Sequence, residues 1–373
     1  MQLIDYMNSK GLEIDTKINK APFDKERAFR IWDKIKEHIP LNRIKIHVLG
    51  TNGKGSTGRY ITKLLLANNK SVFHFTSPHL YSFNERFYKN GKILSFEECE
   101  DAHQFLQKLD GIKEASFFEY ATFLALVLSN GCEYLVMEAG CGGEFDATNC
   151  IDYDLSIFTS ISFDHTDLLG HKIEDIAKTK LRAMGKTAIL APQQYKATIQ
   201  IAKEIAGARS DLHVLEDDKN VNFLDTNLST ARYAINLLGL KGDRNKDEVE
   251  LDLFGRFHSF APNIIIDVGH NADAAKAVLS AFLARFGDNK FTLIYNSYKN
   301  KDIKSILLIF KNYLKEVLIL PIFSPRIVQK SILCGILKEL EIPFADFRKE
   351  SLVNSENYLV FGSFKVAEIF SRY

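Results

Sequence analysis

Three glycines, one lysine and three hydroxyl side chains stand close together in residues 50–57, which read Gly50-Thr51-Asn52-Gly53-Lys54-Gly55-Ser56-Thr57. The backbone N–H groups of such a turn can converge on one anion, and a lysine adds a mobile positive charge. This combination is typical of loops that bind the β- and γ-phosphates of a nucleotide. The general pattern is incomplete, because Val48 replaces its leading glycine and Gly55 stands where a hydroxyl residue usually follows the lysine. A plain glycine-rich turn before a helix is the alternative interpretation.

The loop lies between two elements that would hold it in place. Residues Ile44–Leu49 cluster apolar side chains as a buried strand does, and the pattern that follows, Thr57–Ala67, has helical spacing. Tyr60, Ile61 and Leu64 fall on one face of that helix. A strand, a glycine loop and a helix in this order aim the positive end of the helix dipole at the loop. The sequence therefore predicts an anion site here.

Four further side chains have types that suit metal or charge chemistry. Glu138 closes an apolar strand, and a carboxylate at the carboxyl end of a parallel strand beside the phosphate loop is placed to hold Mg²⁺. A solvated acid at a strand end is the alternative. Taken singly, His165 is an ordinary loop imidazole and Lys180 a solvated lysine near a helix end. Ser77, which precedes Pro78, is by itself a common turn residue.

Strand-like runs alternate with helix-like runs along most of the chain. This alternation predicts an α/β fold, with a mainly parallel sheet and helices on both of its faces. The predicted strands beyond the loop are Ser71–Phe75, Glu133–Glu138, Leu155–Ile161, Thr187–Leu190, Leu212–Leu215, Asn263–Val268, Phe291–Tyr295, Val317–Leu320 and Tyr358–Phe361. The predicted helices between them include Phe118–Ser129, Ile173–Met184 and Leu228–Leu238.

A polar, turn-rich stretch from Leu240 to Glu248 separates two series of strands and helices. It predicts a domain boundary between residues 249 and 250. Residues 1–249 would form the larger domain, which contains the phosphate loop, and residues 250–373 a smaller Rossmann-like α/β domain.

Composition and charge argue against several classes of partner. The 373 residues include 48 basic and 47 acidic side chains, so a net charge of +1 offers no overall basic field to nucleic acid. The apolar runs are too short to cross a bilayer, and Met1–Asp15 lacks the apolar region of a secretion signal. Five cysteines without a CxxC pair suit a reducing compartment. We therefore expect a cytoplasmic protein without nucleic-acid or membrane partners, and separately we expect a monomer.

The phosphate loop is one of several motifs that occur together in one family. GTNGKGS at Gly50 is followed by SPHL and FNER from Ser77, SFFE from Ser116, EAGCGGEFDATN from Glu138 and DHTDLLG from Asp164. Further along come GRF at Gly255, DVGHN at Asp267 and FGS at Phe361. With these motifs in this order, the chain resembles the folylpolyglutamate synthase and dihydrofolate synthase family, relatives of the Mur ligases. The resemblance covers most of the chain.

The resemblance implies two magnesium ions and a modified lysine. Ser77 corresponds to the hydroxyl ligand of the first ion and His165 to a ligand of the second, and Glu138 completes the expected metal set. Lys180 corresponds to a lysine that is carbamylated to act beside the metals. Around it this chain reads TKLRA where the family reads EKAGI, and Glu144 replaces the family's arginine.

The resemblance also implies where the substrates bind. The pterin ring would lie against Phe117, Phe118, Glu119, Phe145, Asp146 and Ala147. Phe118 as plain core is the alternative, since most aromatic residues are buried. The nucleotide would contact residues 52–57 together with Asn227, Arg256, Asp267, His270 and Asn271. The segment Ala21–Arg27 departs from the family's glycine-leucine pattern, which bears on the pterin contacts.

An ATP-dependent ligase is the function that this resemblance implies. The enzyme would join L-glutamate to dihydropteroate, to folates that already carry glutamate, or to both, through an acyl phosphate made with ATP. The expected catalytic residues are Lys54, Lys180, His165, Glu138 and Arg256. The first domain would bind ATP and the folate, and the second would be the glutamate ligase domain. A Mur-type ligase acting on another carboxylate and a non-catalytic ATP-binding homologue are the alternatives.

Overall fold

The computed structural model describes residues 1–11, 24–218, 221–244 and 249–373, and Ala21–Phe23 of the divergent segment lie outside these ranges. The chain forms two compact units. The first comprises Met1–Asp218 and Leu224–Leu251, and the second comprises Asp252–Tyr373 with a short preceding stretch that ends at Phe223. No helix in the described ranges is long and apolar enough to cross a membrane.

The first unit contains an eight-stranded sheet with the order β4-β3-β2-β5-β1-β6-β7-β8. Its strands are β1 Ile44–Leu49, β2 Val72–Phe75, β3 Phe87–Lys89, β4 Lys92–Ile93, β5 Tyr134–Glu138, β6 Leu155–Phe158, β7 Thr187–Leu190 and β8 Asp211–Val214. The six neighbouring strands β2-β5-β1-β6-β7-β8 pair in parallel, as predicted. Strands β3 and β4 add an antiparallel edge that the prediction missed. The phosphate-loop strand β1 lies inside the sheet between β5 and β6.

Helices cover both faces of this sheet. They are α1 Leu3–Ser9, α2 Arg27–Ile35, α3 Lys54–Ala67, α4 Phe96–Leu106, α5 Phe117–Leu128, α6 Thr166–Leu169, α7 Ile173–Leu181, α8 Lys196–Ala206 and α9 Phe223–Leu237. Alternate residues of β5 belong to different cores: Leu135 packs with α1, α2, α4 and α5, whereas Val136 packs with α3 and α9. A third core joins α7 and α8 to the strands near β7. The predicted α/β class with helices on both faces is confirmed.

Two helix boundaries differ from the prediction near the candidate site. Helix α3 begins at Lys54, because Gly53 adopts a left-handed conformation (φ 89°) and serves as its N-cap. Helix α7 ends at Leu181 instead of Met184, because Ala183 N–H bonds to the Lys180 carbonyl in a tighter terminal turn. Lys54 therefore stands in the first turn of a helix, and Lys180 in the last.

The second unit is a six-stranded sheet with the order β13-β12-β11-β14-β10-β9. Its elements are β9 His258–Ala261, β10 Ile264–Ile266, α10 Ala272–Phe286, β11 Phe291–Tyr295, α11 Ile303–Phe310, β12 Leu314–Ile319, α12 Lys330–Glu339, β13 Phe344–Asp346, β14 Tyr358–Phe361 and α13 Phe364–Phe370. All neighbours pair in parallel except β9, which pairs antiparallel with β10. This unit is α/β as well, and β9 and β13 were not predicted.

Candidate active site

The loop between β1 and α3 is packed so closely that it needs its glycines. A Cβ atom at Gly53 would lie 2.6 Å from the amide oxygen of Asn227, a residue of α9. The positive φ of Gly53 also disfavours any side chain there. The structure thus brings together Asn227 and the loop, two parts of the predicted nucleotide site that are distant in sequence.

Hydrogen bonds to the segment after β6 hold the loop in shape. The backbone N–H groups of Thr51 and Asn52 donate to the Ser160 carbonyl over 2.8 and 3.1 Å. The Thr51 hydroxyl donates to the Ser162 carbonyl over 3.1 Å and accepts from the Ser162 N–H over 3.0 Å. A loop fixed in this way needs little rearrangement to receive an anion.

Thr57 places a buried hydroxyl in the first turn of α3. Its Oγ1 atom has no hydrogen-bond partner among the described residues, and the side chain is fully buried. A buried polar atom without a partner carries a desolvation cost that a bound ligand can remove. This hydroxyl therefore fits a site for a phosphate or a metal ion.

Two lysines converge on one carbonyl oxygen of the loop. Lys54 Nζ lies 3.3 Å from the Gly50 carbonyl oxygen, and Lys180 Nζ lies 2.9 Å from the same atom. Burial, together with the positive charge of Lys54, lowers the pKa of Lys180 to about 8. Lys180 is thus not the solvated lysine that its sequence alone allows, because its amine is buried and partly neutral near physiological pH.

Glu138 stands at the end of β5, beside the end of β1. Its backbone pairs with Val48, and its buried carboxylate accepts hydrogen bonds from the Thr76 hydroxyl and, over 3.0 Å, from the Ser77 N–H. Ser77 is also buried. The structure therefore brings Ser77 and Glu138 together at the same edge of the sheet as the phosphate loop.

His165 sits just before α6 in a left-handed conformation (φ 49°). Its Nε2 atom lies 3.8 Å from Asp164 Oδ2, and the other carboxylate oxygen accepts from the His165 N–H over 2.8 Å. In the described ranges no three His, Cys, Asp or Glu side chains gather into a metal site by themselves. A metal here would need hydroxyl and phosphate oxygens as well.

Asp164 is a candidate that the sequence reasoning passed over. Its negative charge acts on Lys180 and on Cys141, so it faces the same space as the two lysines. It is the first residue of the DHTD motif, directly before His165. Cys141 faces that space too, and burial raises the pKa of its thiol to about 11. The thiol therefore stays protonated at neutral pH.

The two acids predicted to bind the pterin already have partners. Glu119 accepts from the Ser116 N–H over 2.7 Å, which caps α5, and from Arg27 Nε over 2.8 Å. The Asp146 carboxylate accepts from the backbone N–H groups of Gly140, Cys141 and Thr148 and from the Thr148 hydroxyl. Burial raises the pKa of Asp146 although these bonds favour its charged form. Both acids shape the backbone around the predicted pocket.

Two of the predicted pterin aromatics, Phe117 and Phe118, begin α5, and Phe145 lies in the loop after β5. The Phe118 ring fills the space beside Gly140, where a Cβ atom would lie 2.6 Å from its Cζ atom. Phe117 meets Phe83 edge-on with ring centroids 5.7 Å apart. Phe145 lies under Lys25 Nζ, 4.8 Å away, and Ala147 is buried. All three rings are partly buried, so each keeps some surface open to a ligand.

The predicted nucleotide residues of the second unit lie around the end of β10. Asp267 is buried and accepts from the backbone N–H groups of Phe257 and Gly269 over 2.9 and 2.7 Å. The Arg256 guanidinium lies 4.8 Å from the Phe364 ring. His270 Nδ1 lies 3.0 Å from the Val268 carbonyl oxygen, and Asn271 caps α10 through Ala274 N–H over 2.9 Å.

Comparison with known families identifies the family to which this chain belongs. The model of the Mur ligase middle domain matches residues 48–266, more than half of the chain. The chain belongs to the Mur ligase family. As a Mur ligase it is an ATP-dependent ligase, and the resemblance seen in its motifs is confirmed.

Three relatives place this Mur ligase more closely. It is 30% identical over 362 residues to a dihydrofolate synthase/folylpolyglutamate synthase of Buchnera aphidicola, covering 85% of this chain and 86% of the relative. It is 39% identical to the solved Helicobacter pylori folylpolyglutamate synthetase, with a TM-score of 0.76 and coverage of 99% and 97%. A bifunctional folylpolyglutamate synthase/dihydrofolate synthase of Yersinia pestis, solved with AMPPNP and Mn, shares the fold at 24% identity, a TM-score of 0.80 and coverage of 99% and 96%.

Proposed function

We propose that this Mur ligase uses ATP to join L-glutamate to dihydropteroate and to folates that already carry glutamate. The observation that carries the proposal is the meeting of Lys54 and Lys180 on the Gly50 carbonyl, beside a phosphate loop with an unsatisfied Thr57 hydroxyl. The names of its relatives support the two acceptors.

Residues 52–57 and Asn227 form the proposed nucleotide site in the first unit. Lys54 would offset charge on the β- and γ-phosphates, and the N-terminal turn of α3 would direct its N–H groups at them. The roles of Arg256, Asp267, His270 and Asn271, which lie in the second unit, rest on the resemblance of their motifs. Arg256 would bind phosphate oxygens with its planar guanidinium, and Asp267 would accept from the ribose hydroxyls.

The donor set at the end of β5 suits magnesium. Ser77, Glu138 and the Thr57 hydroxyl offer the hard oxygen ligands that Mg²⁺ prefers, and we propose His165 for a second ion. When bound, Mg²⁺ would neutralise charge on the transferring phosphoryl group. The Thr76 and Ser77 hydrogen bonds orient the Glu138 carboxylate, and Asp164 would hold the His165 imidazole by its charge.

The reaction follows from the low reactivity of a carboxylate. An acceptor carboxylate oxygen attacks the γ-phosphorus of ATP, the bond to the β-phosphate oxygen breaks, and ADP leaves. The amine of L-glutamate then attacks the carbonyl carbon of the acyl phosphate, phosphate departs, and the amine loses a proton. Positive charge from Lys54 would offset the charge that develops during the first step.

The acceptor would bind against an aromatic wall that we define as the rings of Phe117, Phe118 and Phe145. The rings of Phe117, Phe118 and Phe145 offer a flat apolar surface to a pterin. Asp146 and Glu119 would contribute through the backbone N–H groups that they bind, and the role of Ala147 rests on the resemblance of its motif. The hydrogen bonds of Asp146 to two consecutive loop N–H groups support that role.

We expect Lys180 to react with CO₂, and the reaction to follow the pKa of its amine. The amine nitrogen attacks carbon, one C=O π bond becomes a carboxylate, and a proton leaves to solvent. Because only the neutral amine reacts, a pKa of about 8 instead of 10.5 makes carbamate form between pH 7 and 9. At constant dissolved CO₂, the ¹³C carbamate signal should rise steeply over this range.

Two lysines of α7 provide the comparison for that measurement. Lys180→Arg should remove the ¹³C signal and most ligation, because arginine cannot form a carbamate under these conditions. Lys178→Arg changes an exposed lysine of the same helix and should leave both unchanged. A carbamate signal that survives in Lys180→Arg would contradict the assignment.

The proposed function predicts product formation with two acceptors. Purified enzyme with ATP, Mg²⁺ and L-glutamate should release ADP with dihydropteroate and also with tetrahydrofolate, and mass spectrometry should find one added glutamyl group in each product. Omission of glutamate should stop net product formation. ADP release that does not depend on glutamate, or ATP binding without turnover, would overturn the proposal and favour another carboxylate or a non-catalytic homologue.

A further inference from the structure

The loop after β5, residues 139–146, contains a turn that packs against α7, the helix that carries Lys180. We propose that Gly143 and Glu144 are positioning residues that set where Lys180 stands beside the phosphate loop. Gly143 packs against the backbone of α7, and Glu144 pairs with Arg182 at the end of the same helix. The inference rests on the proposed function of Lys180. It concerns contacts within the first unit only.

Gly143 leaves no room for a side chain between this turn and α7. A Cβ atom at Gly143 would lie 2.6 Å from the carbonyl oxygen of Lys180 and 2.8 Å from its Cα atom. Both are backbone atoms, so they cannot rotate away as a flexible side chain would. The next residue adds a hydrogen bond, because Glu144 N–H donates to the Thr179 carbonyl over 2.8 Å. Two successive residues of the turn thus contact two successive residues of the helix.

An ion pair supports the register of this contact. Glu144 Oε2 lies 3.1 Å from Arg182 Nη1, with 30% of the Glu144 and 53% of the Arg182 side chain exposed. So exposed a pair adds little stability, so it assists the backbone contacts of Gly143 and Glu144 in favouring this alignment of turn and helix. Glu144 stands where the related motif has arginine, and Arg182 stands where that motif, EKAGI, has glycine. The two departures, which look independent in the sequence, meet here as one pair.

Hydrogen bonds within the loop hold this turn in one conformation. Asp146 N–H donates to the Gly143 carbonyl over 3.0 Å, and the Asp146 carboxylate binds the N–H groups of Gly140 and Cys141. Glu138 precedes this loop directly. A shift of the turn would therefore move α7 relative to Gly50, whose carbonyl oxygen is 2.9 Å from Lys180 Nζ. The turn links the proposed acceptor wall with the two lysines.

Lysine reactivity tests this role separately from ligation. Trace acetylation at a series of pH values, followed by mass spectrometry of the Lys180 peptide, reports the pKa of that amine in the intact enzyme. In Gly143→Ala and in Glu144→Arg, the pKa of Lys180 should rise from about 8 toward its ordinary value, since the amine leaves Lys54 and its buried place. The kcat should fall about tenfold to a hundredfold, the scale of a small misplacement of a reacting group.

Two control variants and one folding check show whether the effect arises from this contact. The double variant Glu144→Arg with Arg182→Glu restores an ion pair with exchanged ends, and it should recover both readouts to within about twofold. Gly335→Ala fills open space in α12 and should change neither. Thermal melting should show that each variant is folded.

Two outcomes would overturn the inference. One is a folded Gly143→Ala enzyme whose Lys180 reactivity equals that of the native protein. The other is a double variant that is no better than Glu144→Arg alone. Failure of the proposed function looks different: Lys180→Arg would then ligate at the native rate, while the Lys180 pKa still responded to changes in the turn.

Discussion

Replacing Lys54 by methionine should lower glutamate-dependent ADP release by about 10²- to 10³-fold, the usual loss when one preorganised charge donor is removed. Methionine keeps the length of the side chain but removes the ammonium group that lies 3.3 Å from the Gly50 and Thr51 carbonyl oxygens. Nucleotide affinity should fall as well, because the β- and γ-phosphates lose their mobile cation. Steady-state ADP release and titration calorimetry with a non-hydrolysable ATP analogue measure the two effects.

A lysine on the opposite side of α3 provides the matched control. Lys63 Nζ lies 5.9 Å from the Tyr88 ring, away from the loop, so Lys63→Met should keep nearly full activity. A second readout checks the electrostatic effect of Lys54 on Lys180. Because the charge of Lys54 contributes to the low pKa of Lys180, Lys54→Met should raise that pKa, although burial will keep it below 10.5. Native activity in Lys54→Met would exclude the phosphate role.

Replacing Glu138 by glutamine should separate nucleotide binding from ligation. The neutral amide keeps the shape of the side chain and can still accept from Thr76 and Ser77, so the fold should survive. It is a weak ligand for a hard cation, and we expect ligation to fall by about 10²-fold with a higher Mg²⁺ requirement. Binding of the ATP analogue should fall much less, since Lys54 and the loop N–H groups remain.

Glu133 offers the control for this substitution. It directly precedes the first residue of β5, whereas Glu138 is the last. Its carboxylate lies 2.9 Å from Lys70 Nζ and is half exposed. Glu133→Gln removes a carboxylate from the same strand region without touching the candidate site, and it should ligate at the native rate. If Glu138→Gln also ligated normally at low Mg²⁺, the carboxylate would have no part in metal binding. A non-catalytic homologue would show no ligation in either variant.

The sequence predicted the central part of the fold because its signals are local. The parallel strands β5, β6 and β7 are short apolar runs separated by helical patterns, and each was found close to its predicted place. The antiparallel edge was missed although Asn90-Gly91 between β3 and β4 is a strong hairpin signal. The strands beside it are only three and two residues long, too short to show an alternating pattern.

Contacts between distant segments could not be predicted in the same way. Nothing local in Lys180 or Gly50 indicates that one binds the other, so the buried state of Lys180 required the structure. The two interactions of Glu119 differ in whether the sequence indicates them. Its capping bond was readable from Ser116-Phe117-Phe118-Glu119, a capping-box pattern, whereas its ion pair with Arg27 was not. The individual site roles, the monomeric state and the cytoplasmic location stay predictions.

Because Lys54 Nζ and Lys180 Nζ both approach the Gly50 carbonyl oxygen, the proposed carbamylation of Lys180 would depend on the order in which ligands arrive. A nucleotide would attract Lys54 and bring negative charge near Lys180, and both changes favour the protonated amine. By thermodynamic reciprocity, a neutral Lys180 amine and a bound nucleotide oppose each other. We therefore expect Lys180 to react fastest with CO₂ while the loop is empty, so that the proposed modification would come first and the nucleotide second.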